Sequence, residues 1–166
     1  MLNRFGMTET IEALQWLADQ AELPQDKRQF DLTTFIEEDT CGTVCCVIGK
    51  IAIENEMNEY HMDEILAELG YGHRIIGGIV NSLFYPNNPS YISQNDGDYG
   101  FIPYSSPAKP EEVFRNIVQF LTNAHQSDMA TAFANEEWLK WKKWAHKKVE
   151  DFGYDAPKYM DYSEDC

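Results

Sequence analysis

Residues 41–57 read CGTVCCVIGKIAIENEM and are the most distinctive stretch of the chain. Small side chains such as Cys45 and Gly49 recur along one side of a helical projection, and bulky ones such as Val44 lie beside them. Glycine inside a helix costs about 1 kcal/mol relative to alanine, so its presence indicates that a neighbouring element approaches closely. We therefore predict that residues 41–57 form a central helix with one tightly packed face.

Two features around Cys41 bear on chemistry. The acidic run Glu37–Asp39 precedes it and is suited to neutralise the positive N-terminus of the predicted helix. Cys41 and Cys45 lie one helical turn apart, but zinc needs two further ligands and the four histidines stand singly. A thiolate at a helix N-terminus has a lowered pKa, so a reactive Cys41 is the alternative to simple packing. We predict no metal, no cofactor and no catalytic residue, and interpret six residues as a packing motif: Cys41, Gly42, Thr43, Cys45, Cys46 and Gly49.

Most of the remaining chain has helical periodicity. Thr8 is a suitable cap for the first helix, and Pro24 ends it. Asp96-Gly97 predicts at most a small β-hairpin within the loop 86–110. The expected fold class is all-α, a mostly helical bundle of five to six helices, with one domain over residues 1–152 and an acidic C-terminal tail at 153–166. Besides residues 41–57, the predicted helices are at 8–23, 62–69, 75–84, 111–121 and 136–152.

The charge of the chain constrains its partners. Its 166 residues suffice for one core and carry a formal net charge of −15. Such a charge repels phosphate backbones and anionic membranes and favours basic partners, so we predict no direct nucleic-acid binding and no membrane association. Because no secretory leader opens the sequence, a reducing cytoplasm is the expected compartment.

Carboxylates around the central stretch are the candidate partner-binding surface. So many acids ordinarily form only a solvated face. Helices nevertheless hold them at spacings that can occupy a basic, nucleic-acid-binding groove on another protein. The nine candidates are Glu37, Glu38, Asp39, Glu54, Glu56, Glu59, Asp63, Glu64 and Glu68.

The loop 86–110 suggests a different kind of site. It is rich in proline, asparagine and aromatic residues, and loops of this length are more often functional than inert. A pocket for a small ligand or nucleotide under this loop is the second hypothesis. Its candidate residues are Tyr85, Tyr91, Tyr99, Phe101 and Tyr104.

The helix predicted at 136–152 interleaves tryptophan with lysine. Residues 140–149 hold five of the 13 positive charges and no acid. Basic–aromatic interleaving is typical of nucleic-acid or membrane-surface binding, yet the rest of the chain then carries about −20. We predict instead an amphipathic helix that buries Trp138, Trp141 and Ala145 and pairs its lysines with acids of the body or tail.

Two motifs carry a resemblance to a known family. The element Phe30-Asp31-Leu32-Thr33-Thr34-Phe35, followed by C-G-T-x-x-C-x-x-G at 41–49, resembles a widespread family of small uncharacterised phage proteins. The resemblance continues in pieces at 69–70, 83–86 and 110–121, and departs at Lys50, where an aromatic is usual. It implies a phage origin and no reaction. From a small acidic protein of that origin we expect an early protein that binds or blocks a host factor, including a defence system.

These observations lead to one leading hypothesis and two others. The leading one is a phage-encoded, non-enzymatic acidic protein that engages and inhibits a basic host protein or nucleic-acid-binding complex in the host cytoplasm. The alternative is a small-ligand or nucleotide-binding (sequestering) protein with a pocket under the loop 85–104. The third is an enzyme that uses Cys41 or a pair of carboxylates.

Overall fold

The computed structural model describes residues 2–32, 36–39, 42–54, 100–105, 107–126 and 136–160. This part of the chain is mainly helical, in agreement with the expected class, and it also contains a two-stranded antiparallel sheet and a short 3-10 helix at Gln25–Lys27. The elements are α1 (Leu2–Glu22), β1 (Ile36–Asp39), β2 (Gly42–Cys45), α2 (Val47–Glu54), α3 (Pro110–Gln126) and α4 (Glu136–Asp151). The helices predicted at 62–69 and 75–84, and the Asp96-Gly97 hairpin, lie outside the described residues.

Helix α1 follows the predicted periodicity. Its apolar stripe is buried and packs against α2, α3 and α4, and burying one leucine side chain stabilises the fold by about 1.5–3 kcal/mol. The helix ends at Glu22, just before Pro24, but begins at Leu2, so Thr8 lies within the helix and does not cap it. Within the described ranges, no helix combines the length and apolarity needed to cross a lipid bilayer.

Helix α3 occupies the centre of the described part. Its side chains from Glu112 to Asn123 are all buried, and it packs against both α1 and α4. A helix enclosed on every side is usually apolar all round, whereas α3 carries a polar face that other segments cover. Within the described part of the chain, α3 therefore takes the central position that we predict for residues 41–57.

Residues 36–39 and 42–45 form a two-stranded antiparallel sheet. Strand β1 pairs with β2 in antiparallel register from Ile36 opposite Cys45 to Asp39 opposite Gly42. The prediction that a helix begins at Cys41 is therefore wrong, because the helix begins at Val47. The backbone of the acidic run Glu37–Asp39 lies in a strand, and the helix start at Cys41 that the run was predicted to neutralise is absent, because α2 begins at Val47.

Backbone hydrogen bonds to a distant segment explain this difference. The N–H of Cys45 donates to the carbonyl oxygen of Gln29 at 2.9 Å, and the Cys45 carbonyl accepts from the N–H of Asp31 at 2.9 Å. Branched residues such as Val44 also suit a strand. The extended segment around Phe30 thus holds β2 extended, and periodicity within residues 41–57 carries no information about that partner.

The residues after α4 return to α3. Gln119 Nε2 donates to the carbonyl oxygen of Lys158 at 2.6 Å, and the N–H of Met160 donates to Asn123 Oδ1 at 2.8 Å. Pro157 is buried. Residues 154–160, the first part of the predicted tail, therefore pack along helix α3.

Candidate binding groove between helices α1 and α2

A cleft of about 460 Å³ lies between the outer faces of α1 and α2. Three of its residues are exposed acids, one is a half-buried tryptophan and one is a lysine. We call it the α1–α2 groove, and its lining residues are Glu12, Ala13, Gln15, Trp16, Asp19, Lys50 and Glu54.

Helical spacing places the α1 members of the groove on one face. Trp16 follows Glu12 by four residues and precedes Asp19 by three, and residues so spaced are neighbours on a helix surface. The Trp16 ring also packs edge-to-face against Phe30, with centroids 6.1 Å apart and planes at 65°. This contact holds the indole in place, with part of it open to the groove.

The α2 members bring a cation and a further acid. Lys50 Nζ lies 5.6 Å from the Trp16 ring centroid and 2.6 Å from Glu54 Oε1, one helical turn further along α2. Three carboxylates against one ammonium leave the groove with a formal charge of −2. The groove thus combines an aromatic ring, excess negative charge and one ammonium already bound, an arrangement suited to positively charged groups.

The structure describes only part of the predicted acidic surface. The side chains of Glu37 and Glu54 are exposed, and the backbone of Glu38 and Asp39 lies in β1. The structure adds Glu12 and Asp19 from α1 beside Glu54. The other five candidates lie outside the described residues: Glu56, Glu59, Asp63, Glu64 and Glu68.

The aromatic loop contributes two of its candidates to the interior. Phe101 is buried and Tyr104 packs against the core, where burial raises the pKa of the Tyr104 phenol. A cleft of about 400 Å³ lies beside the end of the loop, between residues 25–31 and 105–111, and neither aromatic lines it. The predicted ligand residues Tyr85, Tyr91 and Tyr99 lie outside the described part of the chain.

The described residues of the cysteine motif lie in β2, in α2 and at the junction between them. Gly42 and Thr43 belong to β2, Gly49 to α2, and the buried Cys45 and Cys46 thiols form no disulfide. Burial raises the pKa of the Cys45 thiol to about 11, which keeps it protonated and unreactive near neutral pH. Cys46 Sγ accepts a hydrogen bond from the N–H of Gly49 at 3.4 Å and so caps the N-terminus of α2.

Cys41, the candidate reactive thiol, lies outside the described residues. Among the residues that are described, no three His, Cys, Asp or Glu side chains are grouped closely enough to hold a metal ion.

Helix α4 uses its aromatic residues for packing. Trp138 and Ala145 are buried, Trp141 is half-buried, and Trp144 packs edge-to-face on Phe114 with centroids 5.7 Å apart. The predicted burial is thus confirmed for Trp138 and Ala145, whereas Trp141 is buried only in part.

The lysines of α4 lie outward. Lys148 Nζ is 2.8 Å from Glu22 Oε1 of α1, so one lysine does pair with an acid of the body, and Lys147 pairs with Asp151 of its own helix. His146 precedes these two lysines, and its Nε2 atom lies 3.2 Å from Thr122 Oγ1. Burial lowers the pKa of His146, and the positive charge of Lys142 lowers it further.

Sequence reasoning missed the buried polar face of α3. Asn116 bonds both backbone groups of Ile102, at 2.9 Å from its N–H and 2.8 Å to its carbonyl oxygen, and Glu112 accepts from the N–H groups of Ser105 and Lys109. These side chains replace the backbone partners that the irregular segment 100–105 lacks. One signal was available in the sequence, because the polar residues between Asn116 and Asn123 are uncharged amides and a threonine.

Comparison of this chain with protein-family models, with curated proteins and with solved structures gives no match.

Proposed function

We propose that this chain is a phage-encoded, non-enzymatic acidic protein that engages and inhibits a basic host protein or nucleic-acid-binding complex in the host cytoplasm. The observation that carries the proposal is the α1–α2 groove, where Glu12, Asp19 and Glu54 surround an accessible tryptophan face. The phage origin rests on the motif resemblance alone.

Charge acts at two ranges in this proposal. A net charge of −15 attracts basic proteins over distances set by the Debye length and accelerates their encounter. Contacts within the groove then select the partner, because an exposed ion pair contributes only about 0.2–1 kcal/mol and several must act together. Inhibition follows if the acidic surface covers the nucleic-acid site of its partner.

The first experiment is a tagged pull-down from host lysate at low and high salt, followed by native mass spectrometry of the eluate. One basic protein, retained at low salt and released at high salt, is the expected result. Its purified form should then bind this chain directly and lose nucleic-acid binding in the complex. A lysate that yields no basic protein at low salt would refute the proposal.

A matched pair of triple variants tests the groove within that complex. Neutralising the groove with Glu12→Gln, Asp19→Asn and Glu54→Gln should weaken binding about tenfold and flatten its salt dependence. The control variant removes three exposed acids that do not line the groove and should cost about threefold or less: Asp26→Asn, Glu150→Gln and Asp155→Asn.

The same mass spectra test the alternative function. The cleft beside residues 105–111 is large enough for a small molecule and is lined by both acids and bases, Arg28 and Lys109 among them. A reproducible low-mass adduct with no protein partner would favour small-ligand or nucleotide binding over the leading proposal.

A further inference from the structure

We infer that the α1–α2 groove receives one cationic side chain, an arginine, from a basic protein partner, and that Lys50 occupies this place until the partner displaces it. The inference rests on the proposed function, and it adds which side chain of the partner enters the groove and how Lys50 competes with it. It concerns the Trp16 ring, the carboxylates on either side of the ring, and the ammonium that now lies over it.

The Trp16 ring is prepared for a cation. Its packing against Phe30 fixes the ring orientation, and one part of the indole remains accessible in the groove. The Lys50 ammonium already lies over it at 5.6 Å, within the distance at which a cation interacts with an aromatic ring. The chain itself thus shows that a cation fits this place.

The carboxylates exceed what Lys50 can neutralise. The lysine pairs with Glu54, and the ion pairs within the described part of the chain involve neither Glu12 nor Asp19. These two exposed acids lie one turn before and one turn after the ring on α1. A second cation entering over the ring would therefore meet a carboxylate on either side.

Arginine fits this arrangement better than lysine. Its planar guanidinium stacks on an aromatic face and offers several N–H donors to carboxylates, whereas an ammonium is a compact, strongly hydrated point charge. The same difference favours replacement of the Lys50 ammonium by the partner's arginine, because the guanidinium gains stacking on the Trp16 ring that the ammonium lacks. Lys50 and Glu54 are both partly exposed to water, so their pair is weak and opens readily.

Lys50 consequently acts as an internal competitor. While the Lys50 ammonium covers the Trp16 ring, an incoming cation must displace this ammonium and is also repelled by its positive charge. Removing this side chain should therefore strengthen binding of a cation, although the protein loses an ion pair.

The test is a titration of the full chain with a blocked Gly-Arg-Gly peptide, followed through the indole N–H resonances in two-dimensional NMR. Trp16→Phe assigns the Trp16 signal among the four indoles. A blocked Gly-citrulline-Gly peptide has nearly the same shape without the charge and serves as the probe control. The variants are Lys50→Ala and Lys27→Ala, which remove the same charge inside and outside the groove, and both lysines lie on the surface.

The expected result is a saturable shift of the Trp16 indole with the arginine peptide, and none with citrulline. Lys50→Ala should tighten binding about two- to fivefold relative to Lys27→Ala, the range that corresponds to one exposed cation–π contact. Asp19→Asn should weaken it by a similar factor.

Two results would overturn the inference. The Trp16 indole could shift no more than the other three, or Lys50→Ala could bind no more tightly than Lys27→Ala. Either failure is separable from failure of the proposed function, because the titration uses no host protein. A basic protein still captured from lysate would then engage acids other than those of the α1–α2 groove.

Discussion

Substitution of Asn116 by alanine should destabilise the protein strongly. Asn116 is fully buried on α3, and its side-chain amide bonds both backbone groups of Ile102. The segment 100–105 belongs to neither a helix nor a sheet, so these groups depend on the asparagine. Alanine removes the hydrogen bonds of the N–H and the carbonyl oxygen of the partly buried Ile102.

The size of the effect follows from those two groups. A buried polar group that loses its partner costs about 1–3 kcal/mol, or about 2–6 kcal/mol for two such groups. Because Ile102 is only partly buried, we expect the lower part of this range, about 2–4 kcal/mol. Domains of this kind have a total free energy of unfolding of about 5–15 kcal/mol, so the variant should still fold. Asn116→Asp keeps the acceptor but places an oxygen against the Ile102 carbonyl, and it should lose a similar amount.

Urea denaturation followed by far-ultraviolet circular dichroism measures the loss. The midpoint should fall with little change in the slope, since the buried area is nearly the same. Thr122→Val is the control: this threonine is buried on the same helix, and its hydroxyl donates at 2.8 Å to the Val118 carbonyl of its own helix and lies 3.2 Å from His146 Nε2, so about 1–2 kcal/mol is expected. The reasoning is refuted if Asn116→Ala costs no more than this control.

Three further predictions concern local conformation and titration. Gly100→Ala should lower the free energy of unfolding by about 2–4 kcal/mol, because φ is +88° and a Cβ would lie 2.6 Å from the hydrogen-bonded Gln119 amide. In Gly153→Ala, where φ is +95°, the new Cβ meets no atom within 4 Å, so only backbone strain of about 1–2 kcal/mol is expected. The pKa of His146 is lowered in the folded protein, so the unfolded chain takes up the proton first as the pH falls. The stability that the neutral imidazole contributes is therefore present above about pH 6.5 and is lost below it, and the wild type should lose more stability at acid pH than His146→Gln. Cys45 should resist iodoacetamide near pH 8 in the folded protein and react in urea, as peptide mass spectrometry would show, because burial both covers the sulfur and raises its pKa to about 11.

Each of these has an outcome that contradicts it. Equal urea midpoints for the two glycine variants would mean that the amide near Gly100 moves aside without loss. The same midpoint shift between pH 7 and pH 5 in wild type and His146→Gln would remove the histidine from the acid response. Alkylation of native Cys45 at the rate of an unfolded peptide would show that its strand opens readily.

Periodicity and terminators predicted three of the four described helices. Helix α1 ends before Pro24, α3 begins beside two acids, and α4 buries Trp138 and displays lysines, as the spacing of their residues requires. Each depends on contacts within a few residues along the chain. Residues 41–57 were predicted poorly for the opposite reason, since the partners of Cys45 are the backbone groups of Gln29 and Asp31.

The candidate site was predicted only in part. Glu54 was singled out as an acid of the surface, but Glu12, Trp16 and Asp19 on α1 were not, because all three precede Lys50 of α2 by more than thirty positions of sequence. Helical spacing aligns the three α1 residues with one another. Only the packing of α2 against α1 brings Lys50 over the indole.

The amino-acid sequence by itself determined the helical class, the net charge of −15 and the faces of α1 and α4, because these depend on composition and on local spacing. Tertiary structure alone decided that α3 is the central helix. In the sequence, the amide face of α3 resembles a solvent-facing stripe. In the structure, segments 100–105 and 154–160 cover this face, and the amide side chains form hydrogen bonds with the backbone groups of those segments. Burial of a polar face depends on which distant segment can satisfy it, and a local pattern contains no record of that segment.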